Sequence, residues 1–132
     1  MFKGKTVIIG VSAGIAAFKT VELVSMLVKT GADVRVIMTE NAINFINPIT
    51  FETLTGNKCF VHTFDRDFSF NVEHVDLAKQ ADVICIAPAT ADILAMLSNG
   101  FARDMLTSIV LASDAKKILV PSMNTGMYEN PV

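Results

Sequence analysis

Apolar residues fall into short unbroken runs, separated by stretches where they recur every three to four positions. Thr6-Val7-Ile8-Ile9-Gly10, Val34-Arg35-Val36-Ile37-Met38, residues 82–87 and residues 117–120 are runs of the first kind. They lack clean polar alternation, which predicts strands covered on both faces, as in a parallel sheet. Lys58-Cys59-Phe60-Val61 is a further strand candidate, third in chain order. Residues 13–29 place Ala16, Ala17, Val21, Val24 and Val28 near a 3.6-residue period, with Gly31 behind them as a helix stop. Residues 41–46, 51–54, 75–80, 91–98 and 104–112 read as further helices, and Pro48 favours a start near the second of these. Residues 62–72 carry the least pattern and are predicted to form a surface loop. Strands alternating with helices imply right-handed crossovers. The predicted class is α/β: a three-layer, doubly wound parallel sheet with strand order 3-2-1-4-5.

That class says where to look for chemistry. Ligands bind outside the carboxyl ends of the strands, where the strand order reverses. The predicted order sets the loop Gly10-Val11-Ser12-Ala13-Gly14 across a crevice from Pro88-Ala89-Thr90-Ala91-Asp92. Pro121-Ser122-Met123-Asn124 falls beside them.

Composition narrows the function classes. A chain of 132 residues corresponds to about one domain. With 52% apolar and 18% charged residues, it is too hydrophobic to be disordered. A net charge of −2 and the lack of a basic cluster argue against nucleic-acid binding. The mean hydropathy of +0.48 implies either a membrane segment or surface buried against other subunits. The most apolar stretch, residues 83–97, contains Pro88, Thr90 and Asp92 and falls short of the ~20 residues of a spanning helix. The N-terminus shows no signal-peptide pattern. A cytoplasmic homo-oligomer without a membrane span is the expectation. Cys59 and Cys85 form no Cys-x-x-Cys pair, and Cys85 lies in an apolar run that suits an inert buried thiol. No metal role is expected.

Each candidate residue has a bland reading beside a functional one. Gly10, Ser12 and Gly14 precede a long helix, whose free amides would favour a phosphate. The same loop also serves as a tight turn with no ligand, and its spacing misses Gly-x-Gly-x-x-Gly. Gly10-x-Ser12-x-Gly14 matches a hydrolase elbow, but only nine residues precede it, too few for the upstream strands and oxyanion loop. Ser12 is left to donate to phosphate or to cap the helix. His74 is either a turn-orienting residue or a base near neutral pH. His62 is assigned nothing. Phe60, Phe64, Phe68 and Phe70 lack basic partners and read as core or subunit contacts. Asn124 either shapes a turn or reads a carboxylate through its amide.

Taken in order, Val11-Ser12-Ala13-Gly14-Ile15-Ala16-Ala17-Phe18-Lys19, Met38-Thr39-Glu40, His74-Val75-Asp76-Leu77-Ala78, Ala87-Pro88-Ala89-Thr90-Ala91-Asp92 and Pro121-Ser122-Met123-Asn124 through Met127-Tyr128 resemble one family. It is the homo-oligomeric flavin-containing cysteine decarboxylases. The Pro-x-Met-Asn-x-x-Met-aromatic signature is the most specific part, and the set spans nearly the whole chain. The resemblance implies a Rossmann-like flavoprotein domain over residues 1–132 with FMN as cofactor. Ser12, Ala13, Gly14 and Ile15 match a first flavin-contact loop. Thr39 matches a second contact, Thr90, Ala91 and Asp92 a third, and Ser122 a small residue near the flavin that is usually Ala. His74 matches the active-site histidine, and Asn124 the asparagine that holds the substrate carboxylate. Tyr128 stands where Trp is also found.

The implied reaction is decarboxylation of 4'-phospho-N-pantothenoylcysteine to 4'-phosphopantetheine in coenzyme A biosynthesis. The implied assembly is built on trimers with flavin between subunits. Alternatives within the fold are a peptidyl-cysteine decarboxylase and a flavin prenyltransferase, the latter lacking the Pro-x-Met-Asn signature. An alternative of another class is a flavin-binding subunit without turnover. Members that complete the final reduction carry a cysteine beyond the Pro-x-Met-Asn loop, whereas Cys59 and Cys85 both precede it. The expectation is therefore a chain short of a sixth strand, a closing helix and the final proton donor, binding FMN weakly and turning over poorly.

Overall fold

The computed structural model describes residues 1–62 and 73–132. The loop expected over residues 62–72, with Phe64, Phe68 and Phe70, lies outside the described residues apart from His62. The described strands are β1 (Thr6–Val11), β2 (Asp33–Met38), β3 (Val83–Ala89) and β4 (Lys116–Pro121). The helices are α1 (Ala17–Lys29), α2 (Pro48–Thr55), α3 (Glu73–Gln80), α4 (Ala91–Ser98), α5 (Met105–Ala112) and α6 (Thr125–Tyr128), with a 3₁₀ turn over Glu40–Asn44. All strand pairs are parallel, in the order β2-β1-β3-β4. The expected third strand contracts to one bridge, Ile37↔Phe60, on the outer side of β2. Counting that bridge recovers the expected order, so the crevice stands where it was placed, between the β1 and β3 ends.

Two hydrophobic layers explain the unbroken apolar runs. On β1, Val7, Ile9 and Val11 pack with Val34, Val36 and Met38 of β2 against Ala17 and Val24 of α1 and Phe51 of α2. Ile8 points the other way, joining Ile84 and Ile86 of β3 with Leu77 of α3, Ile93 of α4 and Leu106 and Ile109 of α5. The period of two sends successive side chains to opposite layers, and both layers are buried. β4 differs. Among the described residues it pairs only with β3 and is exposed along its length, with Ile118, Leu119 and Val120 nearly half accessible.

Three features aim backbone at the carboxyl edge of the sheet. Gly10 lets Leu106 of α5 press on β1, since a Cβ there would sit 2.6 Å from Leu106 Cδ1. Gly10 thus serves packing. The β3–β4 register gains one residue on β3 between Ile86 and Ala89. Pro88, which has no N–H to give the ladder, lies in that bulge, a feature that re-aims a strand end. Finally, α1 begins at Ala17, not residue 13, because residues 12–16 form turns ahead of it. Among the described residues, no helix is long and apolar enough to cross a membrane.

Candidate functional site

A cleft of about 890 Å³ opens at the carboxyl ends of the strands. Its walls include Ser12, Ala13, Gly14, Ile15, Thr39, Thr90, Ala91, Asp92, Ser122 and Asn124. Ten of the eleven residues singled out from sequence therefore meet in one place. The eleventh, His74, is the second residue of α3, and its side chain lies outside the described residues.

Backbone bonds tie the cleft loops together. Thr39 N–H donates to the Val11 carbonyl at 3.0 Å, and Ser122 N–H to the Ala89 carbonyl at 3.0 Å. Thr20 Oγ1 donates to the Ala87 carbonyl at 2.7 Å. Ser12 is the most connected of these residues. Its hydroxyl donates to the Pro88 carbonyl and accepts from Thr90 N–H at 3.1 Å. It is 2% exposed. In this geometry the one hydroxyl proton goes to Pro88 and not to a ligand, and Ser12 does not cap α1, whose N-cap is Ala16 without a side-chain bond. Ser12 instead latches the β1 loop to the β3 loop.

The helix N-termini at the cleft are not alike. Thr90 caps α4 through Ile93 N–H at 3.3 Å, with Asp92 in its first turn. Asp104 caps α5 in a reciprocal capping box with Thr107. Asn124 caps α6, its Oδ1 accepting from Met127 N–H at 2.9 Å. Only α1, 13 residues long, begins without a side-chain cap and without an acid in its first turn. Among the described residues, the amides of Ala13, Gly14, Ile15 and Ala16 donate to no protein acceptor. They lie in the turn leading into α1, whose own first amides, those of Ala17, Phe18 and Lys19, donate back to the Gly14, Ile15 and Ala16 carbonyls; four open amides in such a turn suit an anion. Gly14 keeps this approach open without a packing penalty, since an added Cβ would meet Pro88 and Thr90 only at 3.6 Å. These residues fit a flat ring bearing a phosphate. The Thr39 and Ser122 hydroxyls carry no hydrogen bond to a described residue, and so remain able to meet polar ring atoms.

Asn124 takes up the first of its sequence readings, shaping the turn by capping α6. A backbone N–H only donates, so the atom facing Met127 N–H must be Oδ1. The Nδ2 donors are left without a described partner, and a carboxylate is their natural acceptor. The cap that makes the turn also selects which end of the amide is offered.

Pattern reading missed Asn41, Ile93, Met96, Arg103 and Asp104, which also line the cleft, as do Glu40, Met123 and Met127 from the quoted motifs. Ile93 and Met96 follow Asp92 at helical spacing, a signal that was available. Arg103 carried no signal beyond its place before the Asp104 cap. Glu40 Oε1 lies 3.2 Å from His62 Nδ1. Cys59 is buried, and burial with the nearby Glu52 carboxylate pushes its thiol up to about 12. Burial also raises the Cys85 thiol. Neither cysteine lines the cleft. Among the described residues no cluster suits a metal ion.

The family model described as Flavoprotein matches residues 1–132. The chain belongs to the Flavoprotein family. It is 43% identical over 131 residues to the coenzyme A biosynthesis bifunctional protein CoaBC of Bacillus subtilis, covering 99% of this chain and 32% of that protein. The chain thus spans about a third of the length of that relative. Among solved structures it is similar to the FMN-dependent cysteine decarboxylase SpaF, with TM-score 0.90 and 30% identity, covering 99% of this chain and 75% of that one. It is also similar to a PPC decarboxylase mutant complexed with pantothenoylaminoethenethiol, with TM-score 0.79 and 25% identity, covering 96% of this chain and 71% of that one.

Proposed function

We propose that the cleft holds FMN and that the chain decarboxylates 4'-phospho-N-pantothenoylcysteine to 4'-phosphopantetheine. The observation that carries this reading is the contrast among helix starts: three are capped by side chains, and the one reserved for an anion heads the longest helix. The 43% identity to CoaBC supports the substrate.

The amides of Ala13 to Ala16 would receive the flavin phosphate, with Thr39, Thr90, Ala91, Asp92 and Ser122 lining the remainder. FMN, when bound, supplies a transient oxidation of the cysteinyl moiety that labilises its carboxylate. Asn124 Nδ2 would hold that carboxylate and so orient the scissile C–C bond. His74 would move the proton that accompanies oxidation of the thiol. The Ser12 latch keeps the two loops at fixed separation, a positioning role.

We also propose a homo-oligomer built on trimers. Ile15, on the cleft wall, is 79% exposed, and Phe18 on the next turn of chain is 58% exposed. An apolar rim of this kind suits a second copy. Light scattering that returns a monomer would contradict it.

A second reading is decarboxylation of a C-terminal cysteine on another carrier, such as a peptide, since SpaF is an FMN-dependent cysteine decarboxylase. One assay separates the two. FMN-loaded protein is mixed with 4'-phospho-N-pantothenoylcysteine or with a peptide ending in cysteine, and carbon dioxide is measured. Release from the first alone supports the proposal; release from the peptide alone transfers it to the second reading. The variant His74→Asn should lose release yet stay yellow. Loss of flavin along with release would remove His74 from the reaction.

A further inference from the structure

Among the described cleft-lining residues, Arg103 is the only base, beside the carboxylates Glu40, Asp92 and Asp104. Two of those acids are engaged elsewhere. Glu40 faces His62, and Asp104 Oδ1 accepts from Thr107 N–H and Thr107 Oγ1 at 2.8 and 2.7 Å. Arg103 makes no ion pair with a described residue. Its place is nonetheless defined. The guanidinium lies 4.4 Å from the centroid of the Phe101 ring, and the Arg103 backbone N–H donates to Thr107 Oγ1 at 3.0 Å. A guanidinium stacked on a ring keeps its N–H edges outward, in the geometry that takes a phosphate through two bonds.

We infer that Arg103 receives the terminal phosphate of the substrate and sets the preference for a phosphorylated one. This rests on the function proposed above. The flavin phosphate already has four open amides ahead of α1, whereas Arg103 comes to the cleft on the connection between α4 and α5, which is not a strand-end loop. It is exposed at the rim, where a dianion keeps part of its hydration and costs least to bind. Among the described cleft-lining side chains, Arg103 is the one positive charge that the phosphate of such a substrate would meet beside three carboxylates.

The test uses the full chain loaded with FMN, as wild type, Arg103→Ala and Arg103→Lys. Calorimetry compares 4'-phosphopantothenate with pantothenate, which lack the cysteine and cannot be decarboxylated. Wild type should bind the phosphorylated form about tenfold tighter, and Arg103→Ala should remove that difference without weakening pantothenate. Arg103→Lys should retain part of it, and added salt should shrink it. The kcat/KM for 4'-phospho-N-pantothenoylcysteine should fall in parallel, while that for the unphosphorylated analogue stays. Equal loss for both ligands, or for neither, overturns the inference. So does a loss of affinity for FMN but not riboflavin, which would assign the arginine to the cofactor phosphate. An Arg103-dependent preference without carbon dioxide release would leave the receptor standing and defeat the proposed reaction instead.

Discussion

Substituting Ser12→Ala removes one oxygen that serves two chain segments. Thr90 N–H loses its acceptor, and the Pro88 carbonyl keeps only the Ser12 N–H, at a long 3.4 Å. Leaving a buried polar group unpaired costs about 1–3 kcal/mol. Thr90 is partly exposed, so its share falls at the low end, and the pair together should cost roughly 2–3 kcal/mol. In a chain of this length each kcal/mol moves the melting point by about 3–5 °C, so the drop should be roughly 10 °C. Scanning calorimetry without flavin measures it, with Met26→Ala, at a 59% exposed position on α1, as a control expected to stay within about 0.5 kcal/mol. If Ser12→Ala melts with the wild type but loses FMN, the hydroxyl serves the ligand directly and the latch is wrong.

Other perturbations test separate parts of the structure. Gly10→Ala should cost about 1–3 kcal/mol in urea unfolding, because its methyl meets Leu106; a shortened Leu106→Ala partner should make the pair less than additive. Asn124→Asp should keep the α6 cap and the melting point, since Asp caps as well as Asn, yet lower kcat/KM at least about a hundredfold by setting a carboxylate against the substrate's own. The Cys59 thiol stays protonated in the fold but ionises in the unfolded chain between its ordinary 9.0 and about 12. The unfolded state then binds fewer protons, so stability is full below pH 9 and falls by about 1.4 kcal/mol per pH unit through that window. Cys59→Ala should flatten that decline, and an equal slope in both proteins would place the cause elsewhere.

The apolar runs carried most of the fold because a strand buried on both faces cannot hide its composition. Local pattern failed where distant partners decide. Residues 13–16 are acceptable helix formers, but the turn that Ser12 anchors on Pro88, 76 positions away, holds them out of α1. Residues 58–61 have strand character, yet only Phe60 finds a bridge, to Ile37. Gly126 and Pro131 made the segment after Asn124 read as loop, whereas the Asn124 cap winds one turn of helix there. Eight of the ten cleft residues were legible because strand-end loops converge in this topology, whereas Ile15 and Thr39 came only from the family resemblance. Arg103 was not, since it comes to the cleft from a connection between helices.

The central claim is that the uncapped start of α1 grips a flavin phosphate. Its most direct measurement is fluorescence quenching on titrating FMN and riboflavin into the purified chain. Saturable binding of FMN, with riboflavin at least about tenfold weaker for want of the phosphate, is the expected result. Equal affinity for the two flavins, or no quenching by FMN, would contradict it.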